Sequence, residues 1–520
     1  MKTVKCLEGA AALRRRDALG GLAATAAIAG LGGSRAFAAR FAADELAYMP
    51  ASLQLELFRR RMLSPVDVLE AQIRRIEALN GTVHCITYKH FDEAMAAAKD
   101  SEARYARGDA RPLEGVSVGV KDEHEAKGWR VTMGSLLLKD APPGEEDGAI
   151  VDLLKSAGAV LHIQTTAPEF YLAPQTATRL WGVTRNPWNL HYSPGGSSGG
   201  SGAALAAGFA TLATGSDMGG SIRIPAAQTG VFGFKPPFQR VASSEIAYES
   251  SGPMARTLTD MLLMQNVIAG PHPKVHATLR PKLEYPLAYP SVRGMKVAVD
   301  YARGMGPLDA EVEKSMDDTV SMLKELGCEV VVKDLGFKYE GDFQSWAKGL
   351  LSTSMGMLLE MAARDRDALT PYVRKFLDGY RGRLGPKEAG EADELLARTH
   401  RRVQQQVFTA GIQALVMPTM LTPYVPADWN MDSDKDFVIV NGEKYEGKWD
   451  FLATWVWNML SRYPVMNVPV GMSKKRVPFG VQVIGNTFDD LIAMRLSAAL
   501  EMVVPRFYSD DLMPDFRNAE

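Results

Sequence analysis

The sequence predicts an α/β fold in which a β-sheet is covered by helices on both faces. Three observations carry this expectation. Short apolar or alternating runs take turns with segments of helical periodicity between Ser64 and Val332. Beyond the first 38 residues, no Pro/Ser/Gly linker, low-complexity run or internal repeat interrupts the chain. The 520 residues contain only three cysteines, which excludes a disulfide scaffold and favours one large domain over residues 39–520.

The elements follow in order. Ser64-Pro65 supplies an N-cap and a first-turn proline, and Val66, Leu69, Ile73, Ile76 and Leu79 fall on one helical face before Asn80-Gly81 signals a stop. Val116, Val118 and Val120 alternate as a strand and deliver Lys121 to its end. Residues 150–156 read as a helix and 159–164 as a buried strand. Alternation continues through 202–207, 211–215, 258–268, 295–300, 309–326 and 329–332. A charged, mainly helical section over 343–408 suits a lid or outer layer, and 414–417, 465–468 and 480–484 return to strand.

The first 38 residues speak of address. Arg14-Arg15-Arg16 closes a basic segment, residues 18–31 are uncharged and mostly small and apolar, and Ala36-Phe37-Ala38 follows. This resembles a twin-arginine export signal cut after Ala38, implying a periplasmic or secreted protein. The uncharged run over 18–34 is shorter than the roughly 20 residues that span a bilayer, so no stable membrane association is expected after cleavage. Cys6 precedes the apolar run and is not placed for lipid attachment.

The full chain has a net charge of −2, and removal of the basic leader leaves the rest more acidic. With no Lys/Arg block, it has no electrostatic footprint for nucleic acid or anionic membrane, and the expected partner is a small molecule. Cys85 and Cys328 are expected as buried free thiols. The cysteines and histidines show no metal-site spacing, and no metal or cofactor is expected; His124 and His162 read as structural.

The chemistry lies in Val118-Gly-Val-Lys-Asp122, Gly195-Gly-Ser-Ser-Gly-Gly-Ser201 and Asp217-Met-Gly-Gly-Ser221. Ser197 and Ser221 are 24 positions apart. With Thr184-Arg-Asn-Pro-Trp188, Gly233-Phe-Lys-Pro236 and Val477-Pro-Phe-Gly-Val-Gln-Val-Ile-Gly485, these motifs resemble the amidase signature family, whose members cleave carbon–nitrogen bonds with a Ser-Ser-Lys triad. The resemblance runs from about Leu53 to Leu500. It implies one mixed, twisted sheet enclosed by α-helices, a small-molecule amide substrate, and the homodimer common in such enzymes.

By the same resemblance, Ser221 is the nucleophile, Ser197 the proton relay and Lys121 the base. The peptide before the relay serine, Gly196–Ser197, is expected to be cis. The amides of Met218, Gly219, Gly220 and Ser221 are the expected oxyanion donors. Ser198 and Ser201 are expected to support the loop or cap a helix, and Asp217 and Arg223 to brace the nucleophile turn. A base must be a neutral amine, which burial at the end of a Val-rich strand favours. The blander reading of Lys121 is a strand-end lysine paired with Asp122.

The same residues admit other readings. Gly195-Gly-Ser-Ser-Gly199 also fits the G-x-S-x-G nucleophile elbow, but a loop precedes it, and His272, His276 and His400 are poorly placed to serve it. The phosphate-loop pattern G-x-x-x-x-G-K-[ST] is absent. A non-catalytic ligand-binding member of the fold and the glutamine-amidase subunit of a tRNA-dependent amidotransferase remain alternatives, the second opposed by the export signal. Phe451, Trp455 and Met459, with Leu452 and Val456 beside them, recur at helical spacing. Such a stripe reads first as core; the functional alternative has it lining an apolar pocket with Met133 and Tyr171.

Overall fold

The structure is a computed structural model describing residues 38, 40–354, 356–380, 384–431, 436–446, 449–509 and 512–518. The expected leader, residues 1–38, lies outside the described residues apart from Ala38. No helix among the described residues is long and apolar enough to cross a membrane.

Eleven strands form one sheet: β1 (Ile86–Lys89), β2 (Ser117–Lys121), β3 (Val160–Thr165), β4 (Leu212–Asp217), β5 (Phe232–Lys235), β6 (Ser250–Ala255), β7 (Lys296–Val299), β8 (Glu329–Val332), β9 (Ala414–Pro418), β10 (Val465–Met472) and β11 (Pro478–Ile484). Their order is β1-β3-β2-β4-β6-β5-β10-β11-β9-β7-β8. Parallel pairs (β2 with β3 and β4, β7 with β8 and β9) flank an antiparallel centre, so the sheet is mixed as the resemblance implied.

The helices that matter for the site are α1 (Pro65–Val83), α2 (Ala149–Ser156), α3 (Gly199–Ala206), α4 (Arg223–Thr229), α5 (Leu258–Ile268), α6 (Ala310–Glu325), α7 (Pro386–Val403) and α8 (Asp490–Glu501). Side chains alternate across each strand. Val118, Val120, Met466 and Val468 therefore pack on one face against α2, α5, α6 and α8. On the opposite face Ile163 meets α1 and α3, Ala213 meets α3 and α4, and Leu415 and Met417 meet α7. Both faces are covered, as the alternation of periods predicts.

Local signals set several boundaries. Ser64 caps α1, accepting from the Val66 amide at 3.1 Å while Asp67 accepts from the Ser64 amide. The helix runs through Asn80-Gly81 and ends only at His84, whose φ of 54° is left-handed. Asn80 has another use, since its Oδ1 accepts from the Cys85 amide just past the helix. Cys85 and Cys328 are buried free thiols. Section 343–408 is mainly helical as expected.

The aromatic stripe differs from its helical reading. Only Val456–Met459 is helical, and Phe451, Trp455 and Met459 are all at most 1% exposed within one core cluster. Trp455 stacks on Trp346 with centroids 5.9 Å apart, so this stripe is core.

Candidate active site

Three chain segments converge where β2 and β4 end. Lys121 is the last residue of β2, and its amide donates to Thr214 Oγ1 from β4 at 2.9 Å. Its side chain is fully buried, and Nζ lies 2.8 Å from Ser197 Oγ, 2.7 Å from Ser216 Oγ and 2.8 Å from Glu123 Oε2. The Tyr171 ring closes the remaining side, its centroid 4.8 Å from Nζ. Asp122 faces the other way: Oδ1 accepts from the Thr132 amide and Gln164 Nε2, both at 2.9 Å. The carboxylate on the lysine is thus Glu123, which the turn after β2 folds back, the Glu123 and His124 amides both donating to the Lys121 carbonyl.

Ser197 sits in the loop that feeds α3, and the Gly196–Ser197 peptide is cis. A Cβ on Gly196 would lie 2.6 Å from both the Ala173 and Gln175 carbonyls, so glycine is required there. Ser198 occupies the N-cap position of α3 without capping it; its Oγ instead meets the backbone of Ser216, and its amide donates to the Ser221 carbonyl at 3.0 Å. The two serine loops are tied together by that bond. Ser201 donates to the Thr214 carbonyl at 2.8 Å, fastening α3 to β4.

Ser221 follows the turn after β4. Gly220 has φ of 125°, and a Cβ there would meet Thr454 Oγ1 at 2.2 Å, whereas a Cβ on Gly219 would project into open space. The Gly220 amide donates to Asp217 Oδ1 at 2.8 Å, so the expected oxyanion donors narrow to Met218, Gly219 and Ser221. Asp217 also accepts from the Ile222 amide and pairs with Arg223, both side chains wholly buried. Burial alone would push the Asp217 carboxyl up, but Arg223, then Asn458 and Lys235, hold it down at about 2. Arg223 continues to the Thr454 carbonyl at 3.0 Å and Asn458 Oδ1 at 2.7 Å, and also donates to Gln482.

Ser197, Ser216, Met218 and Ser221 share the wall of a cavity of about 690 Å³. Ile150, Phe170, Leu172, Ile246 and Met361 give it an apolar side, and Met133 and Tyr171 line it as the pocket alternative expected. Glu123 and Glu249 form an acidic end. Glu249 is buried and lines the same end of the cavity as Glu123. Burial, with the Glu123 charge beside it, pushes Glu249 up to about 8. Burial works the other way on His124, which falls to about 4 and is neutral, between Thr214 Oγ1 at 2.8 Å and Ser251 Oγ at 3.3 Å. Among the described residues no cluster of His, Cys, Asp or Glu is arranged to hold a metal ion.

Glu123, Ser216 and Glu249 are site residues that the sequence motifs do not single out. Glu123 lies in the turn just past Lys121, and Ser216 is the last but one residue of β4, which runs parallel to β2; no motif marks either. Glu249 arrives from a loop distant in sequence.

The family profile described as Amidase matches residues 67–492. The chain belongs to the amidase family. It is 30% identical to the A subunit of the glutamyl-tRNA(Gln) amidotransferase of Carboxydothermus hydrogenoformans, over 88% of this chain and 97% of that one. It is 32% identical to the corresponding protein of Geobacter metallireducens over 85% and 94%. Among solved structures, a bacterial aryl acylamidase of the amidase signature family superposes with a TM-score of 0.79 at 28% identity, over 87% of this chain and 96% of that chain. A 6-aminohexanoate cyclic dimer hydrolase gives 0.77 at 25% identity, over 90% and 99%. The amidase-family chain is accordingly an enzyme that hydrolyses amide carbon–nitrogen bonds.

Proposed function

We propose that this enzyme cleaves its amide through an acyl-enzyme on Ser221, with Ser197 passing protons between Ser221 and Lys121. The observation that supports this reading is the 2.8 Å hydrogen bond between Lys121 Nζ and Ser197 Oγ beside the cavity wall that Ser197 and Ser221 share. As Ser221 Oγ bonds to the carbonyl carbon, its proton moves to Ser197 and the Ser197 proton to a neutral Lys121. The relay then reverses and protonates the leaving nitrogen as the carbon–nitrogen bond breaks. Water enters in place of the amine, the same groups take its proton, and the ester opens to a carboxylic acid and free Ser221. The Met218, Gly219 and Ser221 amides receive the oxyanion, where loss of one donor typically costs about 100- to 1,000-fold in turnover.

The apolar side of the cavity favours substrates with an aromatic or medium aliphatic group over acetamide. The acidic residue balance favours a small-molecule partner, the leader favours action outside the cytoplasm as a single domain over 39–520, and the family resemblance alone favours a homodimer. A second reading, a glutamine-hydrolysing component of an amidotransferase, is favoured by the likeness to the amidotransferase relatives. Labelling of the purified protein with a serine-reactive phosphonate, followed by peptide mapping, tests the nucleophile. The adduct is expected on Ser221 and absent from Ser221→Ala; an adduct on Ser197 overturns the assignment. Hydrolysis of glutamine in preference to aryl amides would decide for the second reading.

A further inference from the structure

Glu169, a buried carboxylate that the proposed chemistry does not use, ties the outer helical section to the cavity. It is 1% exposed and lies in the turn after β3. Its Oε1 accepts from Ser135 Oγ at 2.6 Å, and its Oε2 accepts from the Thr370 amide at 2.6 Å and the Thr370 hydroxyl at 2.7 Å. The Glu169 amide donates to the Tyr372 hydroxyl at 2.6 Å, and that hydroxyl donates to the Ala177 carbonyl at 2.9 Å. Among the described residues no cation pairs with the carboxylate. A carboxylate buried on neutral donors alone depends on all of them, so it fixes the relative placement of the segments that supply them.

The residues beside it hold an unfavourable backbone. Phe170 and Tyr171 have φ of 53° and 63°, and Met133, whose carbonyl accepts from the Phe170 amide at 2.8 Å, has φ of 49°. Left-handed backbone is disfavoured for side chains of this size, so surrounding contacts must maintain it. All three residues line the cavity. Behind them a single apolar cluster joins Phe170 and Leu172 to Met361, Leu369 and Val373, and Met361 carries the outer section to the cavity wall itself.

We propose that Glu169 is a positioning residue that sets specificity: by latching Thr370 to the Phe170–Leu172 turn, it assembles Phe170, Leu172 and Met361 into one wall for the apolar group of the substrate. This rests on the apolar-substrate reading above. Without the carboxylate the two segments lose their shared acceptor, the left-handed turn relaxes and the wall opens to water. An apolar group then gains less on entering, whereas a group too short to reach the wall loses little.

The test compares second-order rates of Ser221 labelling, in the full-length enzyme, by two fluorophosphonates that share a reactive head and carry an ethyl or a hexyl tail. The ratio of the two rates cancels any general loss of reactivity. The wild type is expected to favour the hexyl reagent by at least about tenfold, since each buried methylene is worth about fourfold. Glu169→Ala brings the ratio close to one. Glu169→Gln keeps it, because the amide oxygen still accepts from Thr370 while the amide nitrogen donates to Ser135. Thr370→Val, which removes the hydroxyl and spares the backbone bond, lowers the ratio part-way and serves if Glu169→Ala does not fold. A wild-type ratio in both Glu169→Ala and Thr370→Val overturns the inference alone. A ratio near one in the wild type overturns the apolar-substrate reading and this inference with it.

Discussion

Arg223 is the side chain on which the nucleophile turn depends. Both it and Asp217 are wholly buried, and a buried pair broken from one side leaves a charge without its partner, at about 3–5 kcal/mol. Arg223→Met is therefore expected to lower the denaturant midpoint clearly and to abolish Ser221 labelling even in the fraction that stays folded. Unchanged labelling would show that the turn holds itself. Acid sensitivity belongs to this scale too. His124 and His162 are kept neutral by burial, with values near 4 against about 6.5 in an unfolded chain. The unfolded state thus binds the extra protons first, and the stability present above about pH 6.5 is lost as pH falls through 4. Urea midpoints at pH 7 and 4.5 should drop steeply in the wild type and less steeply in His162→Gln. Motif spacing marks Lys121, Ser197 and Ser221, and the structure brings Lys121 against Ser197, but the lysine's carboxylate is less legible: adjacency in sequence suggests Asp122, whereas the turn after β2 presents Glu123.

At the level of elements, periodicity is dependable wherever a segment has one environment. Leu258–Ile268 and Glu329–Val332 stand where their patterns put them. It fails where composition disguises the backbone. Ser250–Ala255 contains Ser, Gly and Pro and is not among the strands that the sequence pattern marks, yet it pairs with β4 along its whole length in the middle of the sheet. Residues 451–459 fail differently, since apolar spacing alone does not separate a helix from an irregular core segment packed all round. Trp455→Ala is accordingly expected to cost about 3–5 kcal/mol as a core truncation while leaving the ratio of aryl-amide to acetamide turnover unchanged. A shifted ratio at constant stability would return Trp455 to the pocket.

For the whole molecule, the mixed order of the sheet is not legible from residues, because strand pairing is decided by contacts far apart in the chain. It enters through resemblance. The proposed export is tested on the whole chain as well: protein recovered from cells should begin at Ala39, and Lys in place of Arg14, Arg15 and Arg16 should retain precursor inside. Processing indifferent to that change would point to another route.

The turn bearing Ser221 is built from residues 217–223, but Arg223 and Asp217 complete their bonds only with Thr454, Asn458 and Gln482, more than 230 positions later. During synthesis the ribosome therefore releases Ser221 long before the supports of its turn. A nascent chain stalled at residue 450 has every group of the proposed triad and lacks the scaffold that shapes the turn. Reactivity towards amides should then appear abruptly, when the last strand of the sheet docks, so the growing polypeptide is chemically quiet for most of its time on the ribosome.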